Sequence, residues 1–450
     1  MQKLPKIKIG LKPIYKKIAD DIDFLQLFRK IDDEFESCFI FESLGEEGKF
    51  SRYSIIGFEP DSIISARENV LKIDNEEFRV KNPYESLREI MPKKTITREY
   101  AGGLVGYLSY DAINYFESKL QVKIHELFDQ FCFGVYTDGL IFDKLTNELH
   151  YFYYTKNRLP IIADILKKKQ PPAKKHSVTF LRDTSTKKGH ADKVKKIKEQ
   201  ILAGNTFQCE VGFKSEYEIT GDALQIYERL RVVNPSPFMY YLKFNDKKII
   251  GASPELLFSL RDGEMTTKPL AGTAKRGRSE KEDQLLAKKL LNDSKEIAEH
   301  NMLVDLHRND IGRVAHFGTV KIKELLGLKK FSNVQHISSE IVGLIKSGED
   351  MFSGFAANFP TGTLTGAPKI ESIQIINSQE QAARGPYGGG VGQFGFNGDC
   401  TFAIAIRSLF ISGNYAYAQT SGGIVADSVP EKEFFEIQNK LHAMKEALEL

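Results

Sequence analysis

The sequence predicts an α+β fold, and three observations predict it. Short β-rich runs, punctuated by glycine and proline, recur through the 450 residues. Helical segments with capping signals stand among them. Two pairs of runs, 131–142 with 148–154 and 401–410 with 415–420, are joined by connections that suit antiparallel hairpins.

Composition narrows the function classes. A chain that is 41% hydrophobic and 27% charged has the make-up of a globular protein with a sizeable core. Its net charge of +3 is too small to select nucleic acid. No apolar run follows the basic residues Lys3, Lys6 and Lys8, so no signal peptide is expected, and no apolar stretch approaches membrane-spanning length. Cys38, Cys132, Cys209 and Cys400 show neither metal nor redox spacing, which fits reduced thiols in a cytoplasm. The chain has no tryptophan.

In chain order, residues 39–43 and 51–57 read as neighbouring strands across a loop rich in Gly and Glu. Residues 102–110 form a glycine-marked strand, where a backbone or a ligand can approach closely. The basic, proline-interrupted stretch 167–190 is the clearest linker, dividing a region 1–166 from a region 191–450. A helix then runs to Ala203 and stops at Gly204, followed by a strand over 207–219. Residues 232–239 read as a turn entering another strand. The strand 249–258 is broken by Pro254, which puts Glu255 at a kink of the kind that re-aims side chains. Residues 268–274 form a short loop, and His336 falls in a strand over 333–338.

The stretch 295–312 reads as one helix. Asp293 caps it, Glu296 is placed to close a capping box, and Gly312 is placed to end it at positive φ. Glu296 and Glu299 are three apart and so leave one face. A second helix begins at Ser428-Val429-Pro430-Glu431 and carries Glu433, Glu436 and Lys440 on one face. Four carboxylates on two helices suit a hard, oxygen-seeking cation, with Mg2+ the usual choice when an anionic substrate completes the shell. Residues 360–369 run into a helix start that favours an anion, but they lack the Gly-Lys-Ser/Thr ending of a nucleotide loop, so a carboxylate is the expected ligand. In 401–410 one face carries Thr401, Ala403, Ala405 and Arg407, leaving room for a ligand carboxylate against the arginine. With Glu255 and His336 for proton transfer, the residues describe an enzyme acting on a small dicarboxylate.

At these positions the chain resembles the chorismate-utilising enzymes, and within them the anthranilate synthase large components. The runs that carry the resemblance are GASPELLF, PLAGTAKRG, KEIAEHNMLVDLHRNDIGRV, NVQHISSEIVG, FPTGTLTGAPK, RGPYGGGVG, FAIAIRS and SGGIVADSVPEKEFFEIQNK, with FES, SRYSIIG and GGLVGYLSYD matching more loosely. The resemblance implies two large antiparallel sheets packed as a sandwich with helices outside, the chorismate-binding enzyme fold. It implies a chorismate-binding catalytic region at 191–450 and a regulatory, tryptophan-binding region at 1–166. Glu299 and Glu436 would bind Mg2+, with Glu296 and Glu433 helping through water. Arg407 and Tyr387 would take the enolpyruvyl carboxylate of chorismate. Gly272, Thr273, Gly422, Gly423, Lys440 and Gln208 would line the pocket, with Thr363 in it among the catalytic residues. Glu255 would protonate the departing C4 hydroxyl as ammonia adds at C2, and His336 would assist pyruvate loss.

Two positions separate relatives. Gln208 stands where isochorismate-forming relatives have a water-activating lysine, and Ala271 where aminodeoxychorismate synthases often have a nucleophilic lysine; both choices favour anthranilate. No glutaminase nucleophile motif surrounds a cysteine, so the resemblance implies a separate glutamine amidotransferase subunit that supplies ammonia. Glu42, Ser43, Arg52, Tyr53, Asn234, Pro235, Ser236, Pro237, Phe238 and Met239 match the family's tryptophan inhibitor site. The stretch Cys209-Glu210-Val211-Gly212 departs from the family pattern, because Glu210 interrupts an apolar strand. The alternatives are an aminodeoxychorismate synthase component and a catalytically inactive tryptophan-binding regulator.

Overall fold

The computed structural model describes all residues except 1–2, 46–51, 98–99, 173 and 332–333. Ser51 and Asn333, each at the start of an expected strand, and Ala173 of the basic stretch lie outside the described residues. Among the described residues, the strands form two twelve-stranded antiparallel sheets. The first runs from Ile14–Asp20 at one edge to Ser177–Asp183 at the other, with Gln208–Thr220 next to that edge. The second runs from Leu270–Lys275, beside Val334–Leu344, across to Glu76–Arg79. Each sheet takes strands from both sides of 167–190.

Adjacent residues on the central strands explain the layering. Phe39, Ile249 and Phe410 point between the sheets, where they meet Phe133, Phe394 and Phe402 of the second sheet. Their neighbours Ile40, Ile250 and Leu409 point outward and pack under Phe28, Tyr227 and Ile437, which come from helices Phe24–Glu34, Leu224–Val233 and Pro430–Ala447. Strands covered on both faces therefore read as unbroken apolar runs.

Among the corners where the chain passes from one sheet to the other, three bear on the site and on the strand expectations. Two of these correct the strand expectations. Residues 131–142 are two strands: Phe131–Tyr136 belongs to the second sheet and Asp138–Asp143 to the first, and only the latter pairs with Glu148–Tyr153. Residues 401–410 likewise divide into Cys400–Ile404 in the second sheet and Ser408–Ser412 in the first. Arg407 lies in the crossover at φ 52°, so it does not share a strand face with Thr401 and Ala403. The third corner is the Pro254 kink, which joins Lys247–Ser253 of the first sheet to Leu256–Arg261 of the second.

The helix Ser294–Gly312 is capped by Asp293, which accepts hydrogen bonds from the Lys295 and Glu296 amides. The expected box does not close: the Asp293 amide bonds to the Leu290 carbonyl instead. Gly312 does not take positive φ, because the helix continues into an αR cap at Arg313.

Candidate active site

The site lies where the helices 294–312 and 430–447 face strand ends of the two sheets. Glu255 begins from the Pro254 corner. Its side chain is 5% exposed. Its Oε1 accepts the Thr363 hydroxyl at 2.9 Å and the Leu270 amide at 3.4 Å. Burial pushes this carboxyl up to about 8, and those two donors oppose the shift. No cation is paired with it among the described residues, so at neutral pH it is a carboxylic acid with a proton to give.

His336 sits on Val334–Leu344, opposite Thr273 of the neighbouring strand. Its Nδ1 is 2.9 Å from the Gly272 carbonyl and 3.1 Å from Thr273 Oγ1. A carbonyl only accepts, so Nδ1 carries the proton and the Nε2 lone pair is free. Burial drives the imidazole pKa down to about 4, reinforced by Arg407 and Lys440, so the ring is a neutral base. Gly272 itself takes φ 63°, a conformation a side chain resists, and a Cβ there would stand 3.0 Å from Glu296 Oε2.

Among the described residues Arg407 has neither an ion pair nor a side-chain hydrogen bond, and burial lowers its pKa against the support of nearby Tyr387. A desolvated guanidinium left open in this way is suited to a bidentate carboxylate. Tyr387 is buried with its hydroxyl 2.8 Å from Ser421 Oγ. Lys440 donates to the Ser421 carbonyl at 2.9 Å and pairs with Glu436 at 2.8 Å. Burial alone would lower the Lys440 pKa, but Glu436 and Glu210 raise it, so the ammonium stays charged. Gln208 is buried, and a Cβ on Gly423 would fall 2.4 Å from its Nε2, so that glycine exists to let the amide in.

The four carboxylates expected to hold a cation are half-buried or face the same space. Burial and mutual repulsion raise Glu299 to about 7 and also raise Glu296 and Glu433. Gly422 brings its backbone under Glu433 and Glu436, where a Cβ would lie 3.6 and 3.9 Å from their oxygens. Among the described residues no three His, Cys, Asp or Glu side chains are already gathered tightly enough to ligate an ion. An all-oxygen set presented by two helices, with Lys440 paired to Glu436 and the other three carboxyls raised by burial, fits a cation that retains waters and shares a substrate.

The sequence reading did not assign Glu210 to the site. Its side chain accepts the Ser421 hydroxyl at 2.7 Å and is 8% exposed. The only sequence signal was one ionisable residue in an apolar run, on the same strand face as Gln208.

Thr363, expected among the catalytic residues, stands against Glu255. Of the other expected set, Glu42 accepts the Tyr227 hydroxyl at 2.8 Å and pairs with Arg231 at 2.9 Å. Glu42 lies opposite Met239 in the sheet, Leu44 N–H bonds the Ser236 carbonyl, and Lys144 donates to the Ser43 carbonyl. At the turn that holds Pro235 and Pro237, ahead of Phe238, the Ser236 hydroxyl donates to the Asn234 carbonyl and the Asn234 side-chain amide donates to the Ala252 carbonyl. Arg52 pairs with Asp143 at 2.6 Å and stacks on Tyr53 at 4.9 Å, on the strand pair beyond Glu42. These residues gather around the end of Ser37–Glu42.

The family model for a chorismate binding enzyme matches residues 36–446. The chain belongs to the chorismate-binding enzymes. It is 52% identical to anthranilate synthase component 1 of Leptospira biflexa over 100% of this chain and 99% of that one. It is 35% identical to aminodeoxychorismate synthase component 1 of Bacillus subtilis, covering 98% of this chain and 97% of the relative. The crystal structure of anthranilate synthase component I from Streptococcus pneumoniae superposes with a TM-score of 0.81 at 31% identity, covering 89% of this chain and 94% of the other. Among the described residues, no helix is long and apolar enough to cross a membrane.

Proposed function

We propose that the chain is the large component of an anthranilate synthase of tryptophan biosynthesis. It would convert chorismate and ammonia to anthranilate and pyruvate. The observation that carries this reading is the buried, neutral Glu255, whose Oε1 accepts from the Thr363 hydroxyl and the Leu270 amide, together with the neutral imidazole of His336 and an open Arg407. Hydroxide is a poor leaving group; protonation by Glu255 lets the C4 oxygen depart as water as the amine enters at C2. Gln208 supplies no base to ionise water, which favours ammonia as the nucleophile. The His336 Nε2 lone pair then takes the ring proton whose loss accompanies pyruvate release and aromatisation. Arg407 and Tyr387 would hold the enolpyruvyl carboxylate, with Thr273, Gly422, Gly423 and Lys440 lining the pocket.

Mg2+ would be held by Glu299 and Glu436 with Glu296 and Glu433 behind them, and when bound it supplies positive charge for the ring carboxylate. Ammonia would come from a separate glutamine amidotransferase subunit in the cytoplasm. Residues 1–166, together with Asn234 to Met239, would bind tryptophan as a feedback inhibitor, a regulation that needs only better binding to a less active state. A second reading, an aminodeoxychorismate synthase component, is favoured by the identity with the Bacillus subtilis relative.

Product identity separates the two. The purified chain is mixed with chorismate, Mg2+ and ammonium salt, and the products are resolved by chromatography. Anthranilate with equal pyruvate, lost on chelation, is the expected result. Aminodeoxychorismate without pyruvate would overturn the first reading in favour of the second.

A further inference from the structure

We infer that a cavity lined by Lys214, Lys193, His125 and Gln419 is a binding site for a small hydrophilic oxyanion, a phosphate or a carboxylate, separate from the pocket around Glu255. The inference goes beyond the reading above and does not depend on it.

The cavity has a volume of about 730 Å³, within the range of roughly 300 to 1,000 Å³ usual for small-ligand pockets. Its lining shares no residue with the candidate active site. Lys214, on the strand Gln208–Thr220, is 3% exposed. Among the described residues it has no ion pair, and its ammonium makes no hydrogen bond; it lies 4.1 Å from the centre of the Tyr417 ring. The carboxylates around it are already engaged. Glu380 accepts Arg384 Nε and Nη2, each at 2.8 Å, and the Gly212 amide at 3.0 Å. Glu216 takes Arg182 at 2.7 Å and the Tyr415 hydroxyl at 2.9 Å. Asp111 takes the His125 amide at 3.1 Å. A buried ammonium without a paired acid carries a desolvation cost, and an anion in the cavity would offset it. That cost is visible in Lys214, where burial drives the pKa down to about 8, still high enough to leave the group charged at neutral pH.

Three further groups call for the same class of ligand. Lys193, on the helix Lys187–Leu202, is half-buried and also lacks an ion pair among the described residues; burial lowers its pKa. His125 is buried, and its Nδ1 accepts the Leu127 amide at 3.1 Å. Burial holds the ring neutral, so Nε2 carries the proton and is a donor with no partner among the described residues. Gln419 is 4% exposed, and its Oε1 is buried without a hydrogen-bond partner. An orphaned acceptor of this kind asks for a hydroxyl or an acid proton on the ligand. Two ammonium groups and an imidazole N–H select an anion. The lone acceptor beside them suits an oxyanion that keeps one O–H, as hydrogen phosphate and hydroxy or half-protonated acids do. The backbone of Lys214 is held independently of its side chain: its amide donates to the Thr184 hydroxyl at 2.9 Å and its carbonyl accepts the Thr184 amide at 2.8 Å. A change of side chain therefore leaves the strand in place.

The test is isothermal titration calorimetry of the full chain with sodium phosphate and, separately, with sodium malate, at fixed ionic strength and neutral pH. Wild type, Lys214→Met, Lys193→Met and Arg407→Met are compared. Wild type is expected to bind at least one of the two anions saturably. Lys214→Met should weaken that binding by about tenfold or more, the size of one lost hydrogen bond to a charged group. Lys193→Met should weaken it by less. Arg407→Met removes the open cation of the other pocket and should leave the affinity within about a factor of two. Binding of phosphate alone marks the ligand as a phosphate, and binding of malate alone marks it as a carboxylate; both support the site. Wild type that binds neither anion overturns the inference. So does binding that Lys214→Met leaves unchanged, or binding that Arg407→Met abolishes, because the anion then sits in the pocket around Glu255. If Lys214→Met does not fold, Lys193→Met decides the matter, and an unchanged affinity in that variant overturns the inference. Failure of wild type to form anthranilate would refute the functional reading and leave this site untouched.

Discussion

Two of the corners where the chain changes sheets bury a carboxyl group, and they treat it in opposite ways. At the first, Asp138 is 3% exposed; it meets Arg158 at 2.7 Å and the Tyr151 hydroxyl at 2.7 Å. At the second, Glu255 is 5% exposed; it meets only the Thr363 hydroxyl and the Leu270 amide. Burial raises both pKa values, and at Asp138 the arginine and the tyrosine oppose it. Pairing fixes the charge at Asp138 and so secures the corner. Withholding a cation at Glu255 leaves a proton that the protein can deliver. Similar backbone geometry thus gives a structural joint in one place and an acid in the other, and the difference lies in what the neighbouring elements offer.

The largest expected effect is on the unpaired side. Glu255→Gln should lower kcat by about a hundredfold or more, the ordinary worth of a positioned acid, with the fold intact by circular dichroism. The same substitution has a signature in stability. The native carboxyl holds its proton up to about 8, against an ordinary value of 4.5, so between those values the folded state binds more protons than the unfolded one. Wild-type stability therefore falls as pH rises through that window, and denaturant titrations of the Gln variant should lack this share of the slope. Wild-type kcat should fall above about 8 for the same reason.

The paired side predicts the reverse pattern. Asp138→Asn leaves Arg158 buried with one carboxylate fewer, although Glu59 at 2.9 Å remains. Breaking such a pair should cost about 3 kcal/mol, near the lower end for buried pairs, measured as a lower denaturation midpoint. The kcat of the folded enzyme should stay within a factor of about two, since no reacting group is touched. A kcat loss as large as that of Glu255→Gln would erase the distinction between the corners.

The third corner lies between these two. Arg407 sits in the crossover at φ 52° with no partner for its guanidinium. Arg407→Lys keeps the charge but not the fork, and should raise KM for chorismate by about tenfold with a smaller change in kcat. Equal falls in kcat and kcat/KM would show that the contact forms only in the transition state.

These corners also mark what could and could not be read from the chain. The Asp293 cap and the Pro254 kink have local chemical causes, so they were legible. The sheet changes at 137 and at 405–407 were not, because both halves of each run are equally β-prone and nothing local reports which sheet each half joins. Arg407 was singled out for the right chemistry but from a strand face it does not occupy. Glu210 was visible as an anomaly, but its partner Ser421 comes from the adjacent strand, and nothing local in the chain reports that contact. Glu296 was read as a capping partner, yet its carboxylate faces Gly272, a contact 24 positions away along the sequence.

The smallest effect tests the comparison most closely. Among the described residues Thr363 is the only side chain that hydrogen-bonds the Glu255 carboxyl, and its hydroxyl donates, so it favours the ionised form. Thr363→Val removes that donor while keeping the shape. The Glu255 pKa should then rise further, and the alkaline limb of the kcat profile should move up by about 0.5 to 1 pH unit, the worth of one net hydrogen bond. A limb that moves down would mean that Thr363 accepts from a protonated Glu255 and stabilises the acid, which would reverse the role of the one side-chain partner at this corner. A limb that does not move would mean that the profile reports a group other than Glu255. An upward shift, with Asp138→Asn leaving the limb in place, would show that the acid is set by the scarcity of donors at its own corner and not by burial in the sandwich as a whole.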